Sequence, residues 1–263
     1  MTTLYRALGL EKSGVVSIVG AGGKTSLMFS LAHEISALGQ SVLTTTTTKI
    51  MMPRKDQSCH VILTQSIQAL LDRARVLLKE ALHICAASPG LPDYPGKIVG
   101  FQKSFLDAVW QSGLFDWILV EADGAAQKPL KVPAEHEPVI PACSDRVIGV
   151  VGLKAIGKPL HPEWVFRHER FAAITGLSKG MPVTPDAVIR AIVHPKGLFK
   201  GCPPAALKIL FLNTAGRMQR VEQGRILAEK MRGVQRGHHV RRVLIGSPLE
   251  KMTVNECIEL PKQ

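Results

Sequence analysis

Several features are scarce in this chain of 263 residues, and each scarcity excludes a class of protein. The five cysteines are scattered and form no C-x-x-C pair, so the sequence indicates neither a disulfide framework nor a zinc site. No apolar run reaches the length of a membrane span, and residues 1–13 lack the apolar centre of a signal peptide. We therefore expect a cytoplasmic protein with no membrane partner.

Acidic and aromatic residues are also few. The chain has 33 Lys and Arg against 21 Asp and Glu, a formal net charge of +12, and only 5% aromatic residues. The imbalance is greatest at residues 190–242, where twelve Lys or Arg accompany two acids. This bias favours an anionic partner, although a solvated basic surface explains it equally well. Because aromatic residues do not alternate with the basic ones, nucleic acid is disfavoured as a partner.

A glycine loop between a predicted strand and a predicted helix is the most informative stretch. Residues 15–19 form a short apolar run rich in β-branched side chains, which predicts a buried strand. Apolar residues then recur at helical spacing from Leu27 to Leu38, just before Gly39. Backbone N–H groups of a loop in this position converge on a phosphate at the positive end of the helix dipole. The predicted nucleotide-binding residues are Gly20, Ala21, Gly22, Gly23, Lys24, Thr25 and Ser26.

The spacing of this loop is shorter than that of a Walker A motif. A Walker A loop reads G-x-x-x-x-G-K-[ST], whereas this chain has G-x-x-G-K-T beginning at Gly20. The shorter form resembles the loop of Mur ligases and folylpolyglutamate synthases. We expect Lys24 at a helix start outside the core, where it would neutralise charge on the transferred phosphoryl group. Thr25 would bind Mg²⁺.

A second stretch supplies the acid that a nucleotide-bound Mg²⁺ requires. Glu121 ends the apolar run at residues 117–120, which places it at the carboxyl edge of the predicted sheet, where open α/β folds bind ligands. Glu121 and Gly124 also have the D-x-x-G spacing of GTPases, in which the glycine N–H contacts the terminal phosphate. We therefore predict Thr25 and Glu121 as metal ligands and Gly124 as part of the nucleotide site. Asp123 is expected to point elsewhere and to position the nucleophile.

Two further segments contain candidate residues. The threonines that end the second predicted strand would lie beside the phosphate loop, although a Thr run is also ordinary strand material. The loop at residues 124–141 contains four prolines, which can preorganise its side chains or can simply make a rigid surface connection. The candidate substrate or switch residues are Thr47, Thr48, Lys49, Lys128, Lys131, His136 and Glu137.

Predicted strands and helices alternate along the chain. The last two predicted strands are residues 207–212 and 242–245, with a helix around residues 221–231 between them. This alternation predicts an α/β protein with a P-loop NTPase-like three-layer fold and a mainly parallel sheet. We find no convincing linker, and we predict a single nucleotide-binding domain over residues 1–263. Arg241 and Arg242, just before the last predicted strand, are expected to meet the phosphates of a cofactor beside the site.

Three motifs resemble the YqeC family, accessory proteins of selenium-dependent molybdenum hydroxylases. They are I-V-G-A-G-G-K-T-S at residues 18–26, T-T-T-T-K-I at residues 45–50, and E-A-D-G…K-P-L-K…H-E-P-V-I-P within residues 121–141. Later segments at residues 152–160 and 194–201 fit the same pattern, so the resemblance covers nearly the whole chain. It implies a maturation pathway, with the hydroxylase or its molybdenum cofactor as partner, and no particular chemical step.

These features together favour a Mg²⁺-dependent nucleoside triphosphatase, or a nucleotide-using transferase, that assists maturation of such a hydroxylase. Members of the family often have an acid shortly after the position of Asn213. Its absence here disfavours guanine and favours ATP over GTP. Two alternatives stay open: a ligase-like enzyme that forms an acyl phosphate, and a non-enzymatic nucleotide-gated protein that binds RNA or another polyanion through the basic C-terminal third.

Overall fold

The computed structural model describes residues 3–90, 92–93, 95–234, 239–248 and 254–261. The strands in these ranges are β1 (Gly14–Ala21), β2 (Val42–Thr46), β3 (Lys49–Met51), β4 (Val61–Leu63), β5 (His83–Ala87), β6 (Lys97–Val99), β7 (Trp117–Glu121), β8 (Leu130–Lys131), β9 (Arg146–Gly152), β10 (Val165–Phe166), β11 (Leu207–Asn213), β12 (Val240–Gly246) and β13 (Val254–Glu259). The helices are α1 (Leu4–Ala7), α2 (Lys24–Ala37), α3 (Ile67–Leu77), α4 (Lys103–Gln111), α5 (His168–Thr175), α6 (Pro185–Val193) and α7 (Gln219–Gly233), with a 3₁₀ turn at Leu153–Ala155.

Nine strands form one sheet in the order β13-β12-β11-β9-β1-β7-β2-β5-β4. Every neighbouring pair is parallel except β12 and β13. Because parallel strands all end at the same edge, the loops that follow them share the carboxyl edge of the sheet. β1 lies between β7 and β9, so the glycine loop that follows β1 is at the middle of that edge.

Two apolar layers cover the sheet. Helices α1 and α2 pack on one face, where they meet Val16 and Ile18 of β1, and α3 to α7 pack on the other face with Val15 and Val19. All eight residues of β1 are buried. Burial on both faces explains why this strand has a continuous apolar sequence without the polar alternation of a half-exposed strand. The predicted three-layer α/β fold with a mainly parallel sheet is confirmed.

The structure corrects the end of the predicted sheet. The strand predicted at residues 242–245 is β12, but it is followed by β13, an antiparallel edge strand. β13 was missed because its sequence, V-N-E-C-I-E, has no regular apolar–polar alternation and contains Asn255, Glu256 and Glu259, which have low strand propensity. Strands of two or three residues, such as β4 and β8, were missed because so short a run has no periodicity to detect.

Arg241 and Arg242 lie at the opposite edge from the one expected. They are the second and third residues of β12, so they lie near the amino edge of the sheet, whereas the glycine loop is at the carboxyl edge. Arg242 donates a hydrogen bond to the carbonyl oxygen of Ala7 at 2.7 Å and forms an ion pair with Glu259. The prediction that these arginines meet a cofactor beside the site is therefore wrong.

Two small sheets lie outside the main one. β8 pairs with β10 in parallel, with Lys131 opposite Phe166, and β3 pairs with β6 in antiparallel fashion. The β8–β10 pair lies against the glycine loop, because the carbonyl of Pro129 accepts a hydrogen bond from the N–H of Gly152 beside that loop. In the described part of the chain, no helix is both long enough and apolar enough to cross a membrane.

Candidate functional site

The glycine loop connects the end of β1 to the start of α2 in a conformation that glycine alone adopts readily. Gly20, Gly22 and Gly23 have φ angles of 95°, 86° and 121°. Space is also short. A Cβ on Gly20 would lie 2.3 Å from the carbonyl oxygen of Val150, and one on Gly22 would lie 2.7 Å from that of Pro129. Both the backbone conformation and the packing therefore require these glycines.

The N-terminus of α2 is open to an anion. This helix has 14 residues, begins after Gly23 without a side-chain cap, and has no acidic residue in its first turn. Its first N–H groups and its dipole therefore present positive potential that no side chain of the helix neutralises. An anion such as a phosphate is the natural ligand of this geometry.

Asn213 supports the loop from the end of β11. Its Nδ2 donates a hydrogen bond to the carbonyl oxygen of Gly22 at 2.6 Å, and its Oδ1 accepts one from the N–H of Ala215 at 2.8 Å. From the sequence, Asn213 was considered as a residue that recognises the nucleotide base. In the structure, the amide nitrogen instead holds the glycine loop, and the amide oxygen fixes the side chain to the turn that follows β11.

Lys24 is buried, contrary to the expectation that it lies outside the core. Only 4% of the residue is exposed, and its Nζ donates a hydrogen bond to the carbonyl oxygen of Gly20 at 2.8 Å. The same Nζ lies 3.3 Å from Asp123 and 3.5 Å from Glu121. Burial would lower the pKa of Lys24, but the two carboxylates outweigh burial and raise it. Lys24 is therefore a buried ammonium that is held by carboxylates.

Thr25 and Glu121, the two predicted metal ligands, are in direct contact. The Thr25 hydroxyl donates a hydrogen bond to Glu121 Oε2 at 2.7 Å. A hydroxyl and a carboxylate beside a phosphate site are the hard oxygen donors that Mg²⁺ prefers. Among the described residues, no group of three or more His, Cys, Asp or Glu is placed to hold a metal. Thr25 and Glu121 are therefore two oxygen donors of the kind that Mg²⁺ accepts when water and a bound anion complete its ligands.

Asp123 points into the site, contrary to the expectation from the sequence that it points elsewhere. It is 2% exposed, accepts hydrogen bonds from the N–H of Gly20 at 3.0 and 3.1 Å, and faces Lys24. The extended chain continues beyond β7, because the N–H of Ala122 bonds to the carbonyl of Ile18. Residues two apart on an extended segment share a face, so Asp123 lies on the same side as Glu121. The two-residue spacing of Glu121 and Asp123 in the sequence was the signal from which this shared face could have been predicted.

Lys131 and Glu137 extend this group of charges, and Arg167 completes it. Lys131 Nζ lies 2.9 Å from Asp123 and 2.7 Å from Glu137, and Arg167 Nη2 donates a hydrogen bond to Glu137 at 3.1 Å. Burial would raise the pKa of Glu137, but hydrogen bonds from Arg167 and Lys131 lower it to about 2. Sequence reasoning missed Arg167, since only the pairing of β8 with β10 brings it to Glu137.

The other candidates are less closely involved. The Thr47 hydroxyl donates a hydrogen bond to the carbonyl of Val139 at 2.7 Å, and Thr48 N–H donates one to the Thr46 hydroxyl at 3.0 Å. These hydrogen bonds stabilise the connection that follows β2. They give Thr47 and Thr48 no clear role in binding a phosphate. The remaining candidates are surface or half-buried residues: Lys49 and His136 are exposed, and Lys128 is half-buried.

Fold and site together define a P-loop-type α/β protein, in which a glycine loop and a helix-start lysine face an acid on the neighbouring strand. The family model for the YqeC protein matches residues 16–169. The uncharacterized protein YqeC of Escherichia coli (strain K12) is 37% identical over 240 residues, which are 91% of this chain and 90% of that protein. The chain therefore belongs to the YqeC family.

Among solved structures, this chain is similar to a chain of the MinC:MinD cell division protein complex of Aquifex aeolicus. The TM-score is 0.44 and the sequence identity is 13%, over 91% of this chain and 83% of that chain.

Proposed function

We propose that this protein binds a Mg²⁺–nucleoside triphosphate at the glycine loop and cleaves or transfers its terminal phosphoryl group. The observation behind the proposal is the contact between Thr25, in the first turn of α2, and Glu121, at the end of β7. It joins the two oxygen donors of a metal site directly beside a loop built for phosphate.

Each side chain has a definite part in this proposal. The loop N–H groups and the Lys24 ammonium bind the phosphates, and Thr25 and Glu121 hold the metal. Bound Mg²⁺ would neutralise charge on the phosphate oxygens. Both oxygens of Asp123 are already engaged by the N–H of Gly20. We therefore assign Asp123 to positioning the loop and Lys24, in place of the nucleophile-positioning role expected from the sequence.

The favoured nucleotide is ATP. A guanine-specific site needs a carboxylate that accepts hydrogen bonds from the base, and no acid follows Asn213 before Glu222. Asn213 is also committed to Gly22 and Ala215 through both ends of its amide. Adenine does not require that carboxylate.

We further propose that nucleotide turnover serves the maturation of a selenium-dependent molybdenum hydroxylase. The support is membership of the YqeC family together with the loop block at residues 121–141 that the sequence shares with it. In the structure, Asp123, Lys131 and Glu137 of this block converge beside the glycine loop.

Calorimetric titration with Mg²⁺–ATP and Mg²⁺–GTP tests the nucleotide site. Lys24→Ala is a poor probe, because it would leave the buried carboxylate of Glu121 without the cation that it contacts. Thr25→Val removes one metal donor at constant size and should raise the Mg²⁺ concentration needed for half-maximal binding about tenfold. The matched control is Thr45→Val, the same change on β2, where the hydroxyl has no hydrogen-bond partner.

The outcomes separate clearly. Binding of Mg²⁺–ATP by the native protein, weakened in Thr25→Val and unchanged in Thr45→Val, supports the proposal. No binding of either nucleotide to the native protein would refute it. Release of free phosphate without an added carboxylate substrate would further distinguish a triphosphatase from a ligase-like enzyme.

A further inference from the structure

Six charged side chains form a continuous chain through the site, and their signs alternate along it. Neighbouring members lie within 3.5 Å of each other, from Glu121 at the end of β7 to Arg167 just before α5. In order, they are Glu121, Lys24, Asp123, Lys131, Glu137 and Arg167. Three cations balance three carboxylates, which is the arrangement that makes burial of so many charges tolerable.

Lys24 is the member that must move when the loop binds a phosphate. Its Nζ is now held by the carbonyl oxygen of Gly20 and by the carboxylates of Asp123 and Glu121. When Lys24 turns toward a phosphate, its contact with Asp123 weakens. Asp123 is buried, and an ionised carboxylate without a cation is very unfavourable in such a place. Asp123 therefore needs a second counterion.

Lys131 supplies that counterion and is fixed in place. Its side chain is fully buried, and its Nζ lies closer to Asp123, at 2.9 Å, than Lys24 does at 3.3 Å. The three N–H donors of Lys131 are matched by three acceptors, which are the carbonyl of Gly124 at 2.5 Å and the carboxylates of Asp123 and Glu137. Lys131 therefore stays with Asp123 when Lys24 turns away.

Glu137 shares Lys131 with Asp123 but does not depend on it alone, because it has a second cation of its own. Both of its oxygens accept hydrogen bonds from the Arg167 guanidinium. We propose that Lys131 is a positioning residue of the phosphate site, which neutralises Asp123 and so releases Lys24 to bind phosphate. This inference rests on the proposed nucleotide-binding function. It adds Lys131 as the residue that allows Lys24 to leave Asp123 and bind the phosphate.

A double-variant cycle on Mg²⁺–ATP affinity, measured by calorimetry, tests the inference. In Lys131→Met, Asp123 has only Lys24 as its cation and should retain it, so affinity should fall about tenfold or more. In Asp123→Asn, Lys131 has no carboxylate to neutralise at that position. Adding Lys131→Met to Asp123→Asn should therefore change affinity by less than about threefold. A purely structural role predicts the same loss in both backgrounds.

The matched control is Lys230→Met. Lys230 pairs with Asp186 at 2.7 Å on the surface between α6 and α7, so the same change there removes a Lys–Asp pair outside the site. Circular dichroism melting reports whether each variant folds. If Lys131→Met does not fold, Lys131→Gln replaces it in both backgrounds, because it removes the charge but keeps a side-chain hydrogen-bond donor.

Three results overturn the inference. They are an unchanged affinity in Lys131→Met, an equal loss in both backgrounds, or an equal loss in Lys230→Met. Absence of Mg²⁺–ATP binding in the native protein is a different result, since it refutes the proposed function itself.

Discussion

Asn213 Nδ2 donates a hydrogen bond to the carbonyl oxygen of Gly22 at 2.6 Å, and this bond ties the end of β11 to the glycine loop. The two residues are 191 positions apart in the chain. The loop therefore depends on a strand two positions away in the sheet, because β9 lies between β1 and β11. A loop that is fixed from outside needs little reorganisation when it binds an anion.

Replacement of Asn213 by Asp tests this support. Asn213→Asp removes the N–H donor and places a carboxylate oxygen against the carbonyl of Gly22, where the two oxygens repel each other. We expect Mg²⁺–ATP affinity to fall roughly tenfold, as for the loss of one buried hydrogen bond. Asn255→Asp, on the exposed side of β13, is the control and should have no effect on calorimetric affinity. Equal affinities for the native protein and Asn213→Asp would show that the bond is dispensable.

Replacement of either of two neighbouring threonines of β2 by valine should change the stability of the protein, but in opposite directions. The Thr45 hydroxyl is buried without a hydrogen-bond partner, so Thr45→Val should stabilise the protein by about 1 kcal/mol. The Thr44 hydroxyl lies 3.0 Å from His83 Nε2, so Thr44→Val should destabilise it by about 1 kcal/mol. Urea unfolding of the two variants measures both changes. Shifts of the same sign would contradict the assignment of partners.

The sequence predicted the fold and the centre of the site because both depend on local patterns. The strand, glycine loop and helix around Lys24 are contiguous, and Glu121 ends a clear apolar run. Arg167 could not be predicted in the same way, since it reaches Glu137 only through the pairing of two two-residue strands. Burial of Lys24 was also beyond local reasoning, because the carboxylates that make it tolerable lie about a hundred residues away.

The Glu137 carboxylate should make the stability of the protein depend on acid pH. Its pKa is lowered from 4.5 to about 2, so the ionised form is favoured in the folded protein. The resulting stability is fully present above pH 4.5 and is lost as the pH falls toward 2, with a total of about 3 kcal/mol. Urea unfolding of the native protein and of Glu137→Gln from pH 6 to pH 3 measures this difference.

The expected result is a difference in unfolding free energy that shrinks as the pH falls below 4.5. His83, whose pKa burial lowers to about 4, titrates in the same range in both proteins and therefore cancels. Glu135→Gln is the control, because the Glu135 side chain is 90% exposed. A constant difference between the native protein and Glu137→Gln across this range would contradict the prediction.

The cations of the basic C-terminal third differ in their surroundings, which its composition does not show. Several of its cations pair with acids that lie outside residues 190–242, as Lys230 does with Asp186 and Arg225 does with Glu256. Arg217 differs because it is exposed and lies just after β11, at the carboxyl edge near the glycine loop. It also lies close enough to Arg220 to contribute, after burial, to the lowered pKa of that guanidinium. The positive potential at the site edge is therefore expected around Arg217.

Charge reversal distinguishes the two edges of the sheet. Arg217→Glu should weaken Mg²⁺–ATP binding about fivefold at low ionic strength, because it replaces attraction by repulsion close to the phosphates. The effect should become small at about 0.5 M salt, where screening shortens the range of exposed charges to a few ångströms. Arg241→Glu, at the amino edge, should leave affinity unchanged at both salt concentrations. Equal losses in the two variants would mean that net charge, and not the position of Arg217, attracts the nucleotide.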